Sequence, residues 1–298
     1  MKEDAAPNQR LFLLGMILSM TCWGFSWTSG KILAGFADPL TISFFRFALT
    51  SVSLVLILWF TKEQFAIRKA GLGDLLLAAV LISFYTYVFF KGLVHGKAGA
   101  GGILVTVLNP ILSYCIMLAT ARRRPSQREV LGLVLALIAG AVLLKIFTDP
   151  GSLWSAGNIY FLAAAVSWSA LSLVTARASR YGSPVAFSCW MYTVSAVIMF
   201  AFAGPAATGV LVQTTSFKFW GNLFFSATIT TSLATTFYFV ATSRIGAGKA
   251  SSFIFMVPFS AALGSWLFLN EVPEWHSVAG GLLGIAAVYI LNKKPKTA

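Results

Sequence analysis

Arg46 lies about two helical turns into an apolar run that starts at Pro39, and none of the predicted hydrophobic cores contains a carboxylate. A guanidinium in such a place is costly unless it faces a protein interior or a water-filled cavity, which makes it a functional candidate. Its fork of donors suits a carboxylate or phosphate on a guest molecule. The same side chain can instead snorkel to an interface or bond helix-terminal carbonyls, and the sequence leaves both routes open.

Pro110 and Pro258 fall near the middle of two further apolar runs, 148 positions apart. A mid-helix proline frees the carbonyl four residues earlier, here that of Thr106 and that of Ile254. In hydrocarbon a freed carbonyl needs protein or cavity water to satisfy it. Paired breaks therefore mark either a cavity with a moving helix or kinks that neighbouring helices absorb. Asn109 adds an amide beside the first break, while its counterpart Val257 is apolar, so a cavity here is chemically lopsided.

Aromatic residues make up 14% of the chain. Trp59, Trp154, Trp220, Trp266 and Trp275 sit near predicted helix ends, as in interfacial belts. Trp23, Trp168, Trp190, Tyr85, Tyr87, Tyr192, Phe237 and Tyr238 lie deeper, some towards lipid and some lining the interior. An aromatic cavity with few polar groups suits an amphipathic organic solute better than an inorganic ion. The candidate substrate-binding set is Trp23, Trp27, Arg46, Tyr85, Asn109, Trp168, Tyr192, Tyr238 and Met256, with Pro110 and Pro258 as helix breaks or gates. No catalytic residue, metal ligand set or cofactor is expected.

The elements that position these residues follow from composition. Only 10% of the 298 residues are charged, 58% are hydrophobic, and the mean hydropathy is +0.81. A soluble domain cannot cover that much apolar surface. Crossing a bilayer core of ~30 Å takes about 20 apolar residues in a helix. Ten segments meet this requirement: 11–32, 39–60, 74–94, 99–120, 129–147, 157–176, 184–204, 219–242, 250–270 and 275–292. The expected fold is an all-α membrane protein with short connections and an uncleaved first helix. Cys22, Cys115 and Cys189 lie inside these spans, as packing residues and not as a disulfide or metal framework.

Charge placement sets the orientation. With the N-terminus in the cytoplasm, sixteen of the 22 Lys and Arg residues lie in cytoplasmic segments, five on the other side, and Arg46 inside a helix. This asymmetry is the positive-inside signature, and it places both termini in the cytoplasm. The run Arg122, Arg123 and Arg124 is then a topology anchor, and the net charge of +13 does not point to nucleic acid. The expected location is the cytoplasmic (inner) membrane.

The chain also repeats itself. Trp23 and Pro39 recur 145 positions on as Trp168 and Pro184, and Pro110, Pro125 and Gly132 recur 148 positions on as Pro258, Pro273 and Gly280. Five helices is an odd number, so a second copy enters from the opposite side of the bilayer. Two inverted five-helix repeats, 1–148 and 149–298, joined at Asp149-Pro150-Gly151-Ser152, form one compact membrane domain. Such inverted repeats commonly enclose a substrate site at their interface. Small residues at 132–140 and 279–287 favour close helix packing within the chain over a dimer interface, so a monomer or weak homodimer is expected.

These residues resemble the EamA-type ten-helix members of the drug/metabolite transporter superfamily. The resemblance rests on Cys22-Trp23-Gly24-Phe25-Ser26-Trp27, Phe44-Phe45-Arg46-Phe47, Leu108-Asn109-Pro110-Ile111-Leu112 and Ser167-Trp168. Arg244-Ile245-Gly246-Ala247 and Asn270-Glu271 complete it. It implies an inverted five-plus-five fold, a pathway between the repeats, peripheral fifth and tenth helices, and export of amino acids or related metabolites. One departure is clear: the family usually has a Gly-Glu-Arg-like sequence after helix four, and here Ala121-Arg122-Arg123-Arg124 stands instead. Only Asn270-Glu271 keeps the acid.

Other function classes fit less well. An intramembrane enzyme needs a nucleophile with a base or a metal-binding motif such as His-Glu-x-x-His, and His95 and His276 are both expected near the outer face. A midplane acidic or histidine proton carrier is also missing, which favours facilitated diffusion or exchange over obligatory proton coupling. The expected function is secondary transport of a small amphipathic organic metabolite by alternating access. The alternative is import or exchange of anionic phosphorylated or nucleotide-linked metabolites, with Lys31 or Lys91 as additional cations. The expected partners are a small-molecule substrate and the lipid bilayer.

Overall fold

A computed structural model describes residues 9–122, 124–204, 209, 216–238 and 253–292. Among these the chain is helical throughout, in ten helices: α1 (Gln9–Leu33), α2 (Pro39–Thr61), α3 (Leu72–His95), α4 (Ala98–Ala121), α5 (Gln127–Leu143), α6 (Ala156–Thr175), α7 (Pro184–Ala203), α8 (Phe217–Phe224, continued by a π-helical stretch Phe225–Ala234), α9 (Met256–Leu269) and α10 (Trp275–Asn292). Five spans, containing α2, α3, α4, α6 and α7, are long and apolar enough to cross a membrane. The expected helix boundaries agree with these to within a few residues, apart from the expected end of the eighth span at 242 and start of the ninth at 250, which lie outside the described residues. The Arg244-Ile245-Gly246-Ala247 motif, Arg123 and both chain termini lie outside the described residues.

Local chemistry explains where the helices start and stop. Asp38 caps α2 by accepting from the Leu40 and Thr41 N–H groups at 2.9 and 3.1 Å, and Pro39 at the first position loses nothing by lacking a donor. Ser183 and Pro184 repeat the device at α7. Ser126 and Glu129 form a reciprocal capping box at α5. Lys62, Arg122 and Asn270 adopt left-handed backbone with φ of 56°, 48° and 55°, which ends α2, α4 and α9.

The helices of the first five interleave with those of the last five. α1 packs on α9 and α6 on α4; α3 packs on α6 and α8 on α1; α2 pairs with α7, α4 with α9, and α5 with α10. Exchanging each helix for the one five places along maps this set of pairs onto itself. At one end of the bundle Lys31, near the end of α1, donates to the carbonyls of Leu93 and Gly96 at the end of α3. Gly96 packs there against Gly157 at the start of α6, so α1 ends where α6 begins. At the opposite end the α2–α3 turn meets the α6–α7 turn, with the Arg68 N–H donating to the Tyr181 carbonyl at 2.8 Å.

Small residues permit the close contacts. A Cβ on Gly24 of α1 would collide with the Ser260 Cβ and lie 2.8 Å from the Val257 carbonyl oxygen of α9. Gly132 faces Leu291 and Gly280 faces Leu143, so both small-residue stripes serve the α5–α10 contact within the chain. Large apolar side chains such as Trp59, Phe60, Leu137, Val197 and Leu282 cover the outside and remain exposed.

Candidate functional site

Along α2, Arg46, Thr50 and Ser53 follow one another at helical spacing and form a polar stripe against α8. The matching stretch of α8 is the ten-residue π-helix. Thr50 Oγ1 donates to the Ala227 carbonyl at 3.4 Å, Ser53 Oγ and Thr228 Oγ1 lie 2.9 Å apart, and Ser232 Oγ meets the Thr50 carbonyl at 3.4 Å. At the head of the stripe, Arg46 Nη2 donates to Thr231 Oγ1 at 3.3 Å. Thr231 in turn donates to the Ser226 carbonyl, five residues back, at 2.7 Å.

Aromatic rings surround the cation. The Arg46 guanidinium carbon lies 5.7 Å from the Phe89 ring centre, and Tyr85 and Tyr192 are its titratable neighbours. Tyr85 contacts Trp168 at 4.7 Å and Phe89 at 5.8 Å between ring centres, and Trp27 meets Phe89 at 4.7 Å and Phe161 at 5.9 Å. The guanidinium of α2 thus meets α3 and α8 directly, with α7 beside it through Tyr192 and with α1 and α6 packed behind α3 through Trp27 and Trp168. Arg46 faces this interior rather than snorkelling to an interface. Among the described residues no carboxylate forms an ion pair with it.

The remaining candidates divide by exposure. Tyr85, Trp168, Trp23, Tyr238, Asn109 and Met256 are half-buried. Trp27 is 4% exposed and Tyr192 8%, packed against Phe89 with Phe161 and against Phe47. Trp23 pairs with Tyr238 at 5.4 Å, a Trp–Tyr contact between α1 and α8 that parallels Trp168–Tyr85 between α6 and α3. Asn109 belongs to the α4–α6 interface, where Ser169 Oγ lies 3.1 Å from both its carbonyl and its side-chain oxygen.

The two prolines are not equivalent. Pro110 lies inside the continuous helix α4. Pro258 occupies the first α-helical turn of α9, just after a 3₁₀ turn at Phe253–Phe255, and not the middle of a helix as its sequence position suggested. A proline so close to a helix start gives up little hydrogen bonding. Trp190 is 43% exposed and donates to the Phe65 carbonyl at 2.8 Å, whereas Trp220 is half-buried against Phe45 and Phe219.

Lys31, Lys91, Lys97 and Lys145 are already engaged. Lys31 is spent on the α3 carbonyls, where a cation also complements the helix dipole. Lys91 sits 5.8 Å from the Tyr87 ring centre. Lys97 and Lys145 both grip Glu274, at 2.7 and 2.5 Å, and hold its carboxyl down at about 2. Beside them Glu271 accepts from Ser265 Oγ at 2.5 Å and from the Gly99 N–H at 3.3 Å, at the start of α4. The cavity between Lys97, Glu271 and Ser277 holds about 20 Å³, room for a water and not a metabolite.

Thr231, Phe89 and the π-helix were not among the residues expected from sequence. The cluster of Ser and Thr from Ser226 to Thr236 was the available signal, since hydroxyls within an apolar run need partners.

Comparison with known proteins decides the family. The model of the EamA-like transporter family matches residues 10–145 and again residues 155–293. This chain belongs to that family. The transporter is 24% identical over 284 residues to the uncharacterized transporter YoaV of Bacillus subtilis, covering 93% of this chain and 95% of the relative. It is 23% identical to a protein of Streptantibioticus cattleyicolor named "Probable terminal-alkyne amino-acid exporter", covering 94% and 92%. A solved crystal structure shares the fold with a TM-score of 0.58 at 14% identity, covering 93% of this chain and 96% of that one. The transporter is thus a multi-pass membrane protein of a family that moves small molecules.

Proposed function

We propose that the transporter carries a small amphipathic metabolite bearing a carboxylate, an amino acid or close relative, outward across the cytoplasmic membrane by alternating access. Arg46 is the observation that carries this reading. It is a guanidinium inside an aromatic cluster, held by one hydroxyl and one ring face, with most of its five donors left for a guest. A carboxylate binds such a fork in a charge-assisted pair, and Tyr85 and Trp168 offer half-exposed rings to an apolar side chain. The exporter name of the Streptantibioticus relative supports the amino-acid class and the outward direction.

Two inverted repeats, 1–148 and 149–298, are the frame we propose for the movement. Support comes from the exchange-symmetric helix pairs, the opposite run of α1 and α6, and the family match falling once in each half. Both termini are assigned to the cytoplasm by the distribution of Lys and Arg. Rocking of the two halves then opens Arg46 to either side. A phosphorylated or nucleotide-linked substrate calls for several free cations, and the engagement of Lys31, Lys97 and Lys145 speaks against it.

The test is flux in proteoliposomes of the purified transporter with the twenty common L-amino acids and their carboxamides. We expect saturable exchange of an apolar amino acid without an imposed pH gradient, and loss of discrimination against the amide in Arg46→Gln. Flux that strictly requires a pH gradient overturns the facilitator mechanism. Equal decline of acid and amide in Arg46→Gln overturns the role of Arg46.

A further inference from the structure

We infer that Thr231, presented by the π-helical stretch of α8, is the residue that positions Arg46 and thereby sets selectivity for a carboxylate-bearing substrate. The inference rests on the proposed role of Arg46 and adds a second helix to it. Thr231 has a single hydroxyl proton, and the geometry commits it to the Ser226 carbonyl at 2.7 Å. Its lone pairs are then turned outward, and Arg46 Nη2 donates into them at 3.3 Å. A hydroxyl with its proton spent can only accept, which matches a guanidinium that can only donate.

The π-helix is what makes this possible. Three hydroxyls reach back five residues, Thr231 to Ser226, Ser232 to Ala227 at 3.0 Å and Thr235 to Thr230 at 3.4 Å. A fourth contact, Thr230 Oγ1 to the Cys22 carbonyl at 3.3 Å, ties the same stretch to α1. In an α-helix residues five apart diverge by more than a quarter turn, and this ladder is lost. The wider turn keeps positions 226 and 231 in line while Thr228 and Ser232 stay on Ser53 and Thr50 of α2. Register between α8 and α2 is therefore pinned on both sides of Thr231, and π-turns of this kind recur at functional sites. Phe89 fixes the face of the guanidinium and Thr231 fixes its rotation about the side-chain axis. Together they aim the free edge of the fork.

Thr231→Val keeps the shape and removes both hydrogen bonds; Thr231→Ser keeps the hydroxyl. The readout is the ratio of flux of an amino acid to that of its carboxamide, taken over the twenty L-amino acids in proteoliposomes. In Thr231→Val we expect this ratio to fall about tenfold, the worth of one hydrogen bond to a charged group, with amide flux retained. Thr231→Ser restores it, and Thr120→Val, which removes a hydroxyl bonded to the Ile116 and Met117 carbonyls of its own helix α4, leaves it at the wild-type value. Where Thr231→Val does not assemble, Thr231→Ala is compared with Thr231→Ser in its place. A wild-type ratio in the hydroxyl-free variant, with a lowered ratio in Arg46→Gln, overturns the positioning role alone. An unchanged ratio in Arg46→Gln, or transport of none of the twenty amino acids by wild type, overturns this inference together with the function it rests on.

Discussion

The guanidinium carbon of Arg46 lies 5.7 Å from the centre of the Phe89 ring, so this half-buried cation is braced by a π face, and among the described residues no carboxylate pairs with it. A carboxylate at that position would neutralise the group and leave nothing to attract an anionic guest. A ring holds it while leaving its charge available.

Phe89→Leu therefore tests the brace. Loss of a cation–π contact of about 0.5–2 kcal/mol corresponds to about a 2- to 30-fold rise in KM for an acid substrate. Phe89→Tyr, which keeps the face, is expected to retain most of the affinity. Initial-rate uptake in proteoliposomes measures both.

Glu274 predicts a pH dependence of stability. Hydrogen bonds from Lys145 and Lys97 hold its carboxyl at about 2, below its ordinary range. A depressed acid contributes stability that is complete above the unfolded value of about 4.3 and is lost as pH falls towards 2. Its side chain is 39% exposed, so solvent screening limits the contribution to about 1 kcal/mol or less. Glu274→Gln should lower the melting temperature in detergent at pH 7, by an amount that shrinks as pH drops through 4 towards 2.

Gly24 and Gly73 predict opposite results for the same substitution. A methyl on Gly24 meets backbone atoms of α9 at 2.8 Å, which cannot swing aside. Gly24→Ala should destabilise by about 1–3 kcal/mol, the usual cost of overpacking. A methyl added at Gly73 meets nothing within 4 Å, so Gly73→Ala should be neutral or stabilising by up to about 1 kcal/mol. Thermal melts of the two variants side by side check the pair.

Pro110 separates stability from turnover. Alanine at this position restores an N–H to the Thr106 carbonyl inside α4 and should stabilise the helix by about 1 kcal/mol or more. If the break allows α4 to flex during transport, Pro110→Ala melts higher and turns over severalfold more slowly. A variant that is stabilised with unchanged turnover assigns the proline to packing alone.

Much of this was legible in one dimension. Long apolar runs, the Pro39 and Pro184 starts and the place of Arg46 within a span all depend on residues within a turn or two of one another. Trp27 and Tyr192 were expected to bind substrate, and in this conformation each is buried against phenylalanines from other helices. Pro258 was expected to mirror Pro110, yet α9 has barely begun when it is reached. Matching sequence positions do not guarantee matching helix ends, because ends are decided by caps and by the neighbouring chain.

The sequence by itself determined a set of long apolar helices with the cation Arg46 inside one of them, since hydropathy and charge are properties of local composition. Only the tertiary structure decided what that cation touches. Thr231 is 185 residues from Arg46 along the chain, and the π-turn that presents it leaves no periodic mark in hydropathy. Its register is chosen by hydroxyl partners on α2 and α1, which exist only once those helices have packed.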